Sequence, residues 1–253
     1  MPLPTPPTPP KMPQAAPAAA APKPKPIDGP ALVHEKFADE GGWLESRTSL
    51  RGETLHGPMQ VFSAEGVPAL EANHEAGLRE GVQRVYDDKG RLVQEAEYHG
   101  DLQEGITRIF AGDKLLYEQR FVKGALNGET VAYAESGDVT ARLRFIAGVL
   151  EGESLFYNET APIRRAKYHK GKLEGETLDY ARDGSTVQSA QYRANVLNGP
   201  LKRFWPDGTV MEEIIYKNGK PLGAPRRFDA NGVEQGAAKG AGFLKNFEKL
   251  VRG

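Results

Sequence analysis

Gly124-Ala125-Leu126-Asn127-Gly128-Glu129-Thr130-Val131-Ala132-Tyr133 is the stretch from which the fold can be read. Its second glycine, Gly128, is followed five residues later by an aromatic, Tyr133. The same pair recurs on both sides: Gly57/Phe62, Gly81/Tyr86, Gly105/Phe110, Gly152/Tyr157, Gly175/Tyr180, Gly199/Phe204 and Gly223/Phe228. The glycine-to-glycine steps are 24, 24, 23, 24, 23, 24 and 24 residues. Eight copies with almost no drift mark an internal repeat.

A second glycine follows nine residues after the anchor in Gly66, Gly90, Gly137, Gly184, Gly208 and Gly232. Several stand in turn sequences, such as Asp88-Lys89-Gly90, Arg182-Asp183-Gly184 and Pro206-Asp207-Gly208. Glycine supplies positive φ there, as hairpin turns require. A second aromatic comes 16 or 17 residues after the anchor: Tyr98, Phe121, Phe145, Tyr168, Tyr192 and Tyr216, with His74 in that slot of the first repeat. The segments between turns alternate and are rich in Val, Thr, Tyr and Phe, which is strand character. Ala96, Leu143, Ala190 and Ile214 lie two residues before the second aromatic, so each shares its face.

Each repeat therefore reads as a two-stranded hairpin with one apolar face. A lone hairpin is marginal in water, and stacking buries the aromatics in a row. Both aromatic sets, Tyr133 and Tyr180 included, are expected on that buried face. The fold class expected is all-β: an elongated, solenoid-like, twisted antiparallel sheet of about eight hairpin repeats over residues 31–232. Eight repeats would span ~75–80 Å. Trp43 to Leu50 reads as the second strand of an incomplete first repeat.

The flanks differ. Eleven prolines fall in residues 2 to 26. Residues 1–30 read as a disordered Pro/Ala-rich arm, a semi-rigid spacer. Pro4-Thr5-Pro6-Pro7 and Pro7-Thr8-Pro9-Pro10 each fit P-x-x-P, a pattern that also arises by chance in such arms. Residues 233–253 read as a flexible linker and a short C-terminal helix. Phe243, Leu244, Phe247, Leu250 and Val251 fall on one face of that helix.

Composition narrows the function. The chain of 253 residues carries 33 basic and 34 acidic side chains, net charge −1. That balance disfavours nucleic-acid binding and electrostatic docking on a membrane. There is no cysteine, which removes disulfides, thiolate metal sites and a cysteine nucleophile. No stretch reaches the ~18 apolar residues of a membrane span. Prolines interrupt the alanines of residues 15 to 21, so no signal-peptide core forms and a cytoplasmic location is expected, with leaderless export left open.

No cofactor and no metal are expected. His99 and His169 occupy equivalent slots three repeats apart, and His56 with His74 lacks a third ligand. His34 stands alone. Glu80, Glu104, Glu151 and Glu174 each precede an anchor glycine, where a recurrent carboxylate serves the turn rather than catalysis. No G-x-S-x-G, Walker or dinucleotide pattern occurs. The chain reads as a binding protein, not an enzyme, and as a monomer. Arg79, Arg84 and Arg108 form one basic group. Lys202, Arg203, Arg226 and Arg227 form another. Candidate partner-binding residues are Arg203, Arg226 and Arg227, together with Phe243, Leu244, Phe247, Leu250 and Val251.

The repeat resembles the MORN repeat, and in particular its bacterial variants: Gly-x-Leu-x-Gly, an aromatic five residues on, then a turn glycine. Gly148-Val149-Leu150-Glu151-Gly152 and Gly171-Lys172-Leu173-Glu174-Gly175 carry it as Gly124 to Gly128 do. The third repeat, Gly100-Asp101-Leu102-Gln103-Glu104-Gly105, reads as having one residue too many, and Gly219-Lys220-Pro221-Leu222-Gly223 closes the series. The resemblance implies a β-hairpin repeat sheet and an antitoxin or immunity protein that neutralises a toxin or effector. An adaptor or scaffold component of a larger assembly is the other function it implies.

Overall fold

The computed structural model describes residues 29–39 and 41–236. Within them the chain is an open antiparallel β-sheet of hairpin strands, with no helix among the described residues. The proline-rich arm up to residue 28 and the C-terminal helix expected over 242–252 lie outside them. The chain divides between Gly137 and Asp138 into two compact units.

In the first unit the strands run from Leu32–Phe37 to Ala125–Tyr133. Leu44–Arg51 is the strand expected from Trp43 to Leu50, and Leu32–Phe37 pairs with it to complete the hairpin. In the second unit they run from Val139–Ile146 to Glu234–Gln235, past residue 232. Contacts connect strands that neighbour one another in the sheet.

Two kinds of turn alternate. At the turn glycines, Asp87 N donates to Arg91 O (2.9 Å) and Gly90 N to Asp87 O (3.0 Å), with Gly90 at φ +75°. The Asp87 carboxylate accepts from the N–H groups of Lys89 and Arg91 at 2.9 Å, so the aspartate closes the turn that the glycine opens. The other kind has two successive residues at positive φ, as in Lys123 (+49°) and Gly124 (+78°). Such a pair is the signature of the tight hairpin turn that matches strand twist. Gly100 (+55°) and Asp101 (+69°) make the same turn, so the third repeat has no insertion: Asp101 fills the slot that Gly124 fills. Its carboxylate repays the strained backbone by accepting from Arg79 N at 2.9 Å. Asn195 (φ +72°) does likewise, accepting from Leu173 N at 2.7 Å.

These turns also bond each repeat to the one before. Asp101 N donates to Arg79 O and Gly124 N to Gln103 O in the first unit; Gly171 N donates to Leu150 O and Gly219 N to Leu197 O in the second.

The two faces of the sheet separate by alternation. In Leu92–His99, Ala96 and Tyr98 are buried while Glu97 and His99 are exposed. In Ala161–His169, Arg164, Ala166 and Tyr168 are buried while Arg165, Lys167 and His169 are exposed. The inward face carries a row of second aromatics and a row of small residues, among them Thr107, Thr130, Ser154, Thr177 and Ala190.

One expectation is corrected here. Tyr133 and Tyr180 are only half-buried, and so are the other aromatics five residues after an anchor. Parity explains it: Tyr86 stands two residues after Arg84 and therefore faces outward with it, where its hydroxyl donates to Glu71 Oε2 at 2.7 Å. A bulge separates Val85 from Tyr86 in the pairing with Leu92–His99, and equivalent bulges precede Phe62, Tyr157, Tyr180 and Phe204. Of the second aromatics, Tyr98, Phe121 and Tyr168 are buried, while Phe145, Tyr192 and Tyr216 are half-buried.

Candidate functional site

The recurrent residue before each anchor glycine has a local task. Glu80 accepts from Gly100 N (3.0 Å), Glu104 from Lys123 N (2.8 Å), Glu151 from Lys170 N (2.8 Å) and Glu174 from Ala194 N (2.9 Å). Each acceptor caps the first positive-φ residue of a tight turn. Asn198 does the same for Asn218 N, and His56 Nδ1 for Ala76 N. The backbone N–H of Gly100 and the His99 ring hold the Glu80 carboxyl below its ordinary range. His99 Nδ1 lies 2.8 Å from Glu80, and His169 Nδ1 lies 2.7 Å from Glu151. Each histidine thus belongs to the cap of its own hairpin. No group of three or more His, Asp or Glu able to hold a metal occurs among the described residues.

His74 is different. It fills an aromatic slot, is buried, and its Nδ1 has no hydrogen-bond partner. Burial holds its imidazole below the ordinary value, Asp101 opposing and Arg79 reinforcing the effect. Arg79 lies over the Tyr98 ring, 4.0 Å from its centroid, and its Nε donates to Asp101 at 2.9 Å.

The outward face of the first unit carries a row of paired charges. Register sets Arg47 beside Gln60, Gln60 beside Glu71, Glu71 beside Arg84, Arg84 beside Glu95, Glu95 beside Arg108 and Arg108 beside Glu118. Arg84 Nε donates to Glu95 at 2.9 Å, and Arg108 reaches both Glu95 (3.5 Å) and Glu118 (3.2 Å). The half-buried Tyr86 hydroxyl, desolvated and bonded to Glu71, has its pKa pushed up to about 12. Next to this row, Val82 and Ile106 stand exposed immediately after their anchor glycines. They border a shallow groove of about 420 Å³ lined also by Glu95, Glu97, Gly105, Arg108 and Arg120.

The second unit carries a charge row on the inward face in addition to outward pairs such as Lys202 with Glu213 (3.5 Å). Cross-strand register runs Arg164, Asp179, Gln188, Arg203, Glu212, Arg227. Arg164 grips Asp179 through Nε and through Nη2 at 2.9 Å, and Gln188 donates to the same carboxylate at 3.2 Å. Glu212, only 3% exposed, accepts from Arg203 (2.8 Å) and Arg227 (3.1 Å). In the first unit the equivalent positions are largely apolar: Val61, Leu70, Val85 and Ile109.

Of the candidate residues named from sequence, Arg203 and Arg227 therefore come together on one buried glutamate. Arg226 lies on the other face, between Glu213 (3.3 Å) and Glu234 (2.9 Å), with its guanidinium 5.2 Å from the Phe228 ring. Arg79, Arg84 and Arg108 are each paired as well. Phe243, Leu244, Phe247, Leu250 and Val251 lie outside the described residues. Sequence reasoning passed over Val82 and Ile106. Their position one residue after an anchor, in a strand with alternating sides, was the available signal.

Residues 79–99 and 197–218 match the MORN repeat variant, one stretch in each unit. No curated protein matches the chain. MORN repeats are a non-catalytic repeat type that generally binds proteins or membranes, and no helix among the described residues is long and apolar enough to cross a membrane. The two matches, on hairpins built like their neighbours, support a MORN-repeat protein.

Proposed function

We propose that this chain binds another protein and performs no chemistry, and that its partner is a toxin or effector which it neutralises as an antitoxin or immunity protein. The observation that carries the protein-binding part is the outward face of the first unit. Val82 and Ile106 are exposed apolar anchors flanked by Glu95, Arg108, Glu97 and Arg120. Apolar side chains ringed by charge are the usual anatomy of a protein interface. The groove is shallow and open, which suits a protein surface better than a small molecule. The toxin part rests on the resemblance to the bacterial variants of the repeat.

An adaptor or scaffold role in a larger assembly has its own observation: residues 1–28 and 237–253 flank the repeats and would serve as tethers. Affinity capture with the full chain, from its host, separates the two. Neutralisation expects one stoichiometric partner whose expression alone arrests growth and whose effect co-expression relieves. The double substitution Val82→Asp, Ile106→Asp should abolish both capture and relief. A non-toxic partner that is retained by this variant and lost on removing the flanks would establish the adaptor instead.

A further inference from the structure

The last repeat breaks the outward pattern at two adjacent places. The residue before each second aromatic is polar in every earlier repeat: Asn73, Glu97, Arg120, Arg144, Lys167 and Gln191. In the last it is Ile215. The residue before each anchor glycine is polar everywhere else, and in the last repeat it is Leu222. Leu222 N donates to Ile215 O at 2.9 Å, so the two exchanged positions touch through the backbone. Ile215 is 42% exposed and Leu222 64%. Pro200 is the register partner of Ile215 and extends the patch. The loss of the cap at 222 follows from there being no further tight turn to cap among the described residues. The gain of two large apolar side chains in water does not follow from that, and it calls for a cover.

The direction of the chain identifies the cover. Glu234–Gln235 pairs antiparallel with Arg226–Phe228, with Gln235 opposite Arg227. The strand's direction at Gln235 points along the neighbouring strand towards Gly223 and Leu222. Residues 236 to 242 can span up to ~23 Å, more than the ~10 Å that separates strands two places apart. The sequence that follows carries Phe243, Leu244, Phe247, Leu250 and Val251 at helical spacing. A helix of ~11 residues is not stable alone in water and needs a surface to form on.

We propose that residues 243–251 fold back on their own second unit as an amphipathic helix seated on Pro200, Ile215 and Leu222. The inference is independent of which partner the first unit takes. It removes the tail from the free tethers that an adaptor would use.

The chain has no cysteine, so engineered pairs report without background. Leu222→Cys with Phe247→Cys, oxidised at low micromolar concentration, should give mainly an intramolecular disulfide. Thr160→Cys, in an exposed turn of the second unit several strands from the patch, with Phe247→Cys should give little. Equal yields in the two pairs, or a mainly intermolecular product from the first, would overturn the proposal, the latter by assigning the patch to a second copy. Both patch positions are exposed, so Ile215→Asp with Leu222→Asp should fold. That variant and deletion of residues 240–253 should each lower Tm by on the order of 2–4 °C, and combining them should lower it no further. Additive losses would sever the patch from the tail.

Discussion

Gly128 sits at φ +125°, and a Cβ placed on it would lie 3.0 Å from Arg120 Cδ. Gly137 also has positive φ (+94°) but has nothing within 4 Å. Gly128→Val should therefore cost about 2–4 kcal/mol, from strain and crowding together, and Gly137→Ala only about 1 kcal/mol. Urea midpoints would show the difference. The anchor glycines were plain in the sequence because period and spacing expose them. The face on which their aromatics lie was not, because a bulge and a parity decide it. Tyr168 is buried and Tyr180 half-buried, so Tyr168→Ala should cost about 3–5 kcal/mol and Tyr180→Ala about 1–2 kcal/mol in the same assay. His74 provides a pH-dependent contrast. Its pKa is held below the ordinary value by burial, so the unfolded chain takes up a proton that the fold refuses. Its contribution is complete above about pH 6.5 and is lost as the pH falls from there. His74→Phe should melt higher than the parent at pH 7, by about 1 kcal/mol, because the unpartnered Nδ1 is gone. Its melting point should also fall less between pH 7 and pH 5. An equal fall in both proteins would locate the acid sensitivity elsewhere.

At the scale of the hairpin, one lattice is filled with two chemistries. In the first unit the charges line the outward face and the matching inward positions are largely apolar; in the second, arginines and carboxylates occupy the inward row. Buried pairs of this kind seldom add net stability, but removing one member leaves a charge stranded. Asp179→Leu should cost about 3–5 kcal/mol, because Arg164 is then buried without its carboxylate. Arg164→Met combined with Asp179→Leu should recover most of that loss, as chemical denaturation would show. If the double variant is as unstable as the single one, the pair is stabilising in its own right. The turns at Gly90 and Gly208 were legible because Asp88-Lys89-Gly90 and Asp207-Gly208 are plain turn sequences. The turns at Gly100-Asp101 and Ala194-Asn195 were not, since aspartate and asparagine take the left-handed slot there and repay it with a side-chain bond to the previous repeat. The apparent insertion in the third repeat came from that substitution. The pairing of Arg203, Arg226 and Arg227 was hidden for a related reason: Glu212 and Glu213 face opposite sides, and only the register fixes which arginine each one meets.

For the whole molecule, the repeat period read from the sequence predicts an antiparallel hairpin sheet, and the described residues form one. Function is less legible, because a repeated lattice supplies surfaces rather than a reacting group. What separates one surface from another is the exposed residue at each slot: Val82 and Ile106 beside a row of paired charges in the first unit, Ile215 and Leu222 in the second. Titration calorimetry of the captured partner against the full chain tests the protein-binding claim most directly. A stoichiometric complex is expected, lost in the Val82→Asp, Ile106→Asp variant at an unchanged melting temperature and kept by a chain lacking residues 1–28. Binding that survives the double substitution, or that disappears with the N-terminal residues alone, would contradict it.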